Sequence, residues 1–189
     1  MGKPSTNKPK EKREKNDLYP TPKWCFANLP IDWSLFYKNT IHEPAQGDAR
    51  ITDYLYNSGC YFTTGADIAT GTDFRNTNTE YDLIITNPPY DIVEEFVAHA
   101  LKLAPTVIML LKNSFLGTKK RYDLLINNNP TRLYCLSDRP SFSMELDPPT
   151  KGSDGSEYSW FCWDKTGKIK QGFDFIRKDP KLNAWQNND

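Results

Sequence analysis

The tetrapeptide Asn87-Pro88-Pro89-Tyr90 follows directly on the apolar run Asp82-Leu83-Ile84-Ile85-Thr86, and its residue types fit an amine-activating site. Two successive prolines donate no backbone hydrogen bond, which leaves the local carbonyls as rigid outward acceptors. The Asn87 side-chain oxygen and the Pro88 carbonyl can then both accept from one exocyclic NH2 group. Held that way, the nitrogen lone pair is drawn out of conjugation with its ring or carbonyl and becomes nucleophilic. Tyr90 adds a flat face for a planar substrate. In an open parallel sheet ligands bind at the carboxyl ends of the strands, so the tetrapeptide stands where a site is expected; the bland alternative is a proline-rich turn.

Upstream, Glu43-Pro44-Ala45-Gln46-Gly47-Asp48 reads as a strand ending at Glu43 and a tight turn in which Gly47 lets the backbone approach a ligand. A helix over 48–56 then points its N-terminus at a ligand carboxylate. Glu43 can bind the ammonium group of the same ligand, directly or through water. Asp67-Ile68 ends the next strand, and a carboxylate there either accepts from both hydroxyls of a ribose or caps a turn. Lys112 and the run Lys119-Lys120-Arg121 form a basic patch. It holds phosphates if the site lies at the nearby strand ends, and is otherwise a solvated face of a helix-forming stretch over 118–122. His42 and His99 have no neighbours in sequence that point to acid–base work.

These residues need a scaffold, and short apolar runs alternating with helix-like stretches indicate a parallel sheet with covering helices. Strands are expected over 40–43, 61–66, 82–86, 106–111, 132–136 and 158–163. The runs 82–86 and 106–111 have continuous apolar interiors, as central strands buried on both faces must have. Between them Ile92, Val93, Phe96, Val97, Ala100 and Leu101 fall at helical spacing over 92–103, completing a βαβ unit. Residues 23–37 form a short helix and a turn against the core. The Pro- and Gly-rich stretch 137–157 is a long mobile loop, with Arg139 and Lys151 as candidates for touching nucleic acid. Residues 164–189 have no assigned element.

With 189 residues, the chain has room for one domain and no separate recognition domain. Its 24 basic and 24 acidic residues cancel, which excludes a polybasic protein held on nucleic acid by bulk charge. The balance hides an asymmetry: residues 1–15 hold six basic residues against two acidic ones, a net +4, leaving −4 for the rest. Residues 1–16 are expected to be a flexible basic tail and 17–189 a single domain. Cys25, Cys60, Cys135 and Cys162 lack metal-ligand or disulfide-framework spacing, so reduced thiols, no metal and a soluble cytoplasmic protein without a membrane segment are expected.

Residues 19–163 resemble the S-adenosylmethionine-dependent amino-methyltransferases, specifically the small DNA N6-adenine methyltransferases common in bacteriophages. The resemblance rests on Tyr81-Asp-Leu-Ile-Ile-Thr-Asn87 running into Pro88-Pro89-Tyr90, on Glu43-Pro44-Ala45-Gln46-Gly47-Asp48 before it, and on Arg139-Pro140-Ser141-Phe142 with Tyr158-Ser-Trp-Phe-Cys-Trp163 after it. Ala49 departs from the pattern, standing where many relatives have glycine. The resemblance implies a Rossmann-like class I α/β fold, doubly wound, with a mostly parallel seven-stranded type of sheet and an antiparallel hairpin over 132–163. It implies S-adenosylmethionine as cofactor, held by Glu43, Pro44, Ala45, Gly47, Asp67, Ile68, Asp73, Phe74 and Asn87, with Asp73 reading the adenine amine and Phe74 packing on its ring. Tyr19 and Thr21 would belong to an element closing over the methionine end. DNA would be the partner, its adenine flipped onto Tyr90 and methylated at N6 by direct displacement with Asn87, Pro88, Pro89 and Tyr90 as the catalytic element, in a monomer or weak homodimer. Methyltransferases acting on RNA bases or protein glutamine use the same element, and a non-catalytic nucleic-acid-binding protein on this fold is the remaining alternative.

Overall fold

The structure is a computed structural model that describes residues 20–142 and 155–182. The expected basic tail, Tyr19, Lys151 and the 143–154 part of the expected mobile loop lie outside the described residues.

Seven strands form one sheet: β1 (Ile41–Glu43), β2 (Thr63–Gly65), β3 (Leu83–Thr86), β4 (Thr106–Lys112), β5 (Arg132–Leu136), β6 (Tyr158–Asp164) and β7 (Gly172–Ile176), in the order β2-β1-β3-β4-β6-β5-β7. β1 pairs in parallel with β2 and β3, β3 with β4, and β5 with β7, while β6 runs antiparallel between β4 and β5. The chain leaves β1 toward β2 on one side and returns through β3 on the other. The strand order therefore reverses between β1 and β3, which is where an open α/β sheet opens a crevice.

Period-2 alternation assigns the central strands to two cores. Leu83, Ile85, Ile108, Leu110 and Trp160 pack with α1 (Lys23–Ala27) and α2 (Arg50–Asn57) on one face, whereas Ile84, Val107, Met109, Leu111 and Phe161 pack with α3 (Val93–Leu103) on the other. Each such buried side chain contributes about 1.5–3 kcal/mol. Trp160, Phe161 and Trp163 are core residues, and the Trp160 indole N–H donates to the Cys25 carbonyl at 2.7 Å. That bond pins α1 to the sheet and fixes the segment that leads into it.

The expected hairpin over 132–163 is present as β5 and β6, with β6 inserted beside β4, and the seventh strand comes from the unassigned residues 164–189 and lies next to β5. β7 sits at the sheet edge with Phe173 and Phe175 exposed, so it lacks the burial pattern that marks a strand in sequence. The helix expected over 118–122 starts later: Lys119–Arg121 is a 3-10 turn, and α4 runs Tyr122–Asn127. Three cations oppose a helix N-terminus, whereas Asp123 in the first turn of α4 favours one. Among the described residues, no helix is long and apolar enough to cross a membrane.

Candidate active site

A cavity of about 950 Å³ opens at the carboxyl ends of the parallel strands, at the upper end of the size range of small-molecule sites. It receives Glu43 from the end of β1, Asp67 from beyond β2, Asn87 from beyond β3 and Lys112 from the end of β4. Of the residues singled out in the sequence, Thr21, Glu43, Pro44, Ala45, Gly47, Asp67, Ile68, Asp73, Phe74, Asn87, Pro88, Pro89, Tyr90 and Lys112 all line it. Lys119, Lys120, Arg121 and Arg139 do not.

Glu43 lies at the floor, only 2% exposed. Its Oε2 accepts from the Thr52 backbone N–H at 3.1 Å and the Thr52 hydroxyl at 3.3 Å. Burial pushes its carboxyl well above the ordinary range, the two Thr52 donations pull it down, and the nearby Asp48 and Asp67 charges add to the rise. Glu43 also caps α2 from a distance, because the N-cap residue, Ala49, has no side chain with which to do so.

Ala49 is strained. Its φ of +66° and ψ of 13° are left-handed, as is the φ of +55° at Gly47, so the loop takes the glycine geometry at a position without glycine. This is also why α2 begins at Arg50 and not at 48. Ala49→Gly is expected to raise stability by about 0.5–1 kcal/mol and the melting temperature by about 1–4 °C. Thermal and urea unfolding check this; an unchanged midpoint would mean that the loop relaxes around the alanine at no cost.

Two acids beyond Glu43 are built into turns. Asp67 Oδ1 accepts from the Ala69 N–H at 2.8 Å and Oδ2 from the Gly47 N–H at 2.9 Å, locking the two loops together. A carboxylate has about four lone-pair sites, so one acceptor direction on each oxygen remains. Asp73 is more committed: Oδ1 accepts from the Arg75 backbone N–H and Nε, each at 3.0 Å, and Oδ2 from Arg75 Nη2 at 2.7 Å. One acceptor direction remains there. Phe74 is 2% exposed, wedged against Phe96 and His99 with ring centroids 4.7 and 4.9 Å away, so little of the ring is open to the cavity. Ile68, 63% exposed, presents the larger apolar surface.

Past the end of β3, the Tyr90 hydroxyl donates to Asn87 Oδ1 at 2.6 Å. Pro89 is extended, and its carbonyl accepts from the Ile92 N–H at the entry to α3. The Tyr90 ring lies 5.7 Å from that of Tyr158, and the Lys112 ammonium stands 5.5 Å from the first centroid and 5.9 Å from the second. Phe142, which also lines the cavity, meets Tyr158 edge-on at 5.1 Å. Phe142 had a sequence signal in its Arg139-Pro140-Ser141 context; Asp91 and the Arg50–Asp48 pair had none beyond adjacency. The acids Glu43, Asp48, Asp67, Asp73 and Asp91 outnumber the cations Arg50 and Lys112 around the cavity, a field that favours a cationic ligand.

The basic residues outside the cavity are largely engaged. Arg121 Nε donates to Glu94 Oε1 at 2.8 Å, Lys120 lies 3.7 Å from the same oxygen, and Arg139 pairs with Glu157 at 2.6 Å. Lys119 is exposed on the 3-10 turn.

No protein-family model matches the sequence, and no curated protein matches it. Solved structures do. The chain is similar to a Pyrococcus horikoshii protein provisionally described as an RNA methyltransferase, with a TM-score of 0.56 and 11% identity over 78% of this chain and 90% of that one. It is also similar to the M protein of the type I restriction enzyme EcoKI, with a TM-score of 0.56 and 10% identity over 84% of this chain and 48% of that one. A modification subunit from Vibrio vulnificus, provisionally assigned to a type I restriction enzyme, gives 0.54 and 11% over 84% and 46%. The chain thus spans about half the length of these two modification subunits. It has the Rossmann-like class I methyltransferase fold, with helices on both faces of a seven-stranded mixed sheet.

Proposed function

We propose that the protein transfers a methyl group from S-adenosylmethionine to the N6 amine of adenine in DNA. The observation that carries this reading is the meeting, in one cavity at the strand-order reversal, of the Asn87-Pro88-Pro89-Tyr90 element with Glu43 and Asp67. The residues present fit the cofactor. Glu43 is a buried carboxylate whose desolvation an ammonium group would relieve. Asp67 has one acceptor direction left on each oxygen, the number a ribose diol needs; Asp73 has one, the number that one N–H of an adenine amine needs. Bound there, the cofactor supplies a sulfonium methyl already activated for direct displacement. Asn87 Oδ1 and the Pro88 carbonyl hold the target amine and localise its lone pair, and Tyr90 stacks on the flipped base. Positioning and electrostatics do the rest.

DNA as the substrate class is supported by the fold shared with restriction-enzyme modification subunits, and the likeness to the Pyrococcus protein makes RNA the second reading. Lys112 in the cavity and the exposed Lys119 are the cations offered to phosphates. Incubating the protein with labelled cofactor and DNA, RNA or total protein, then digesting and identifying the modified group, tests the proposal. Label in N6-methyladenine from DNA is expected; label only in RNA or in glutamine reassigns the substrate, and no label in any of the three overturns the activity.

The Tyr90 hydroxyl occupies the Asn87 oxygen that this reading gives to the substrate. An incoming amine competes with it for that oxygen, at a cost of up to one hydrogen bond of about 0.5–1.5 kcal/mol. Tyr90→Phe keeps the ring and removes the competitor, so the KM for the target is expected to fall about threefold to tenfold. Tyr90→Ala, by contrast, loses about 1–3 kcal/mol of stacking. A raised KM in Tyr90→Phe would assign the hydroxyl to holding the Asn87 amide in place.

A further inference from the structure

Arg75 does not line the cavity, yet it governs a residue that does. Its backbone N–H, Nε and Nη2 take three of the four acceptor directions of the Asp73 carboxylate. Its third nitrogen, Nη1, reaches Glu95 Oε2 at 3.3 Å on α3. Beneath this chain the Phe74 ring packs on Phe96, so the segment 73–75 is fixed to α3 by charge above and by aromatic contact below. The grip is a two-nitrogen one from a rigid planar fork, supplemented by a backbone donor, which sets the rotation of the carboxylate as well as its position. Donation from Arg75 also holds the Asp73 carboxyl below its ordinary range, keeping it an acceptor without a proton to offer.

We infer that Arg75, braced by Glu95, is a selectivity-determining positioning residue: it leaves Asp73 a single outward acceptor, so that the cavity accepts a purine bearing an amino group at C6 and rejects one bearing a carbonyl. This rests on the assignment of Asp73 to the adenine of the cofactor. A freely rotating, hydrated carboxylate would meet a 6-amino group directly and a 6-oxo group through water, and would discriminate little between them. A carboxylate fixed with its last lone pair toward the 6-position faces the 6-oxo oxygen and cannot turn to the N1–H that a 6-oxo purine carries beside it.

The experiment is calorimetric and needs no turnover. S-adenosylhomocysteine and its inosine counterpart, which differ in that one group, are titrated into the wild-type protein and into Arg75→Met, Arg75→Lys and Asp73→Asn. The wild type is expected to prefer the adenosine compound by at least about tenfold, the range for losing a hydrogen bond to a charged group. In Arg75→Met the preference is expected to fall to about threefold or less, and Arg75→Lys, with a single movable donor head, lies between. Asp73→Asn, whose amide offers a donor as well as an acceptor, removes or inverts the preference. If Asp73→Asn collapses the preference and Arg75→Met leaves it intact, or weakens both compounds equally, the role given to Arg75 is overturned. If Asp73→Asn itself leaves the preference unchanged, it is the assignment of Asp73 that fails.

Discussion

If the proposed function holds, replacing Asn87 by alanine is expected to lower methyl transfer by about a thousandfold or more and to leave cofactor affinity within about twofold of wild type. The expectation follows from what the side chain touches. Asn87 Oδ1 already accepts a short hydrogen bond, from the Tyr90 hydroxyl at 2.6 Å, in the cavity that Glu43 also lines. Its place just past the end of β3, followed by two prolines, is what fixes that acceptor before any substrate enters. Fixed acceptors stabilise charge as it develops on the reacting nitrogen, and removing one such group typically costs two to three orders of magnitude in turnover. Here the loss extends further because the Pro88 carbonyl alone holds one N–H and leaves the amine free to stay conjugated with its ring. Single-turnover transfer of a labelled methyl group measures the first quantity and calorimetry the second. Full activity would remove the mechanism, and a parallel loss of cofactor affinity would show that Asn87 serves mainly the cofactor, which it also borders.

The same residues show what a sequence exposes and what it hides. β3 and β4 could be read because they are buried on both faces, and an uninterrupted apolar run at that length has few other interpretations. Glu43, Asp67 and Asn87 followed from them, since each stands at or just past the carboxyl end of a strand. What the sequence could not give was the partner of each acid. Asp73 next to Phe74 looks like an open acid beside an open ring, but Arg75 two residues on folds back onto the acid and Phe96 buries the ring. The first contact lies within the turn, but the burial of the ring and the bracing of Arg75 by Glu95 depend on α3 lying against it, which is tertiary information. β7 was missed for the opposite reason: an edge strand with exposed Phe173 and Phe175 has little burial to impose a pattern. Ala49 is intermediate. The departure from glycine was visible, but the left-handed backbone that makes it a strained position required the fold.

Cofactor affinity is expected to rise with pH and to lose that dependence in Glu43→Gln, together with about a tenfold to hundredfold loss of affinity in that variant. The sign follows from burial. Desolvation raises the Glu43 carboxyl well above its ordinary range in the free protein, more than the Thr52 donations lower it. An ammonium group brought beside it favours the ionised form and lowers the value again. Between the lowered and the raised value binding must release a proton, so affinity climbs with pH through the window above the ordinary carboxylate range and levels off once the free protein is already ionised. Folding shows the complementary trend. A carboxyl whose folded value exceeds its unfolded one of about 4.3 contributes fully below that pH. Its contribution declines as pH rises toward the folded value, because the folded state then holds a proton that the unfolded state has shed. Asp82 and Asp164, held low by their hydrogen bonds, slope the other way at more acid pH. The difference between wild type and Glu43→Gln is therefore the quantity to follow. Glutamine retains an acceptor for the Thr52 N–H and so keeps α2 capped, which separates loss of charge from loss of the helix start. Calorimetry in two buffers of unlike ionisation enthalpy counts the protons released. A count of zero across the window, with affinity flat in pH, would put the ammonium group away from Glu43 and leave that buried acid as a helix cap alone.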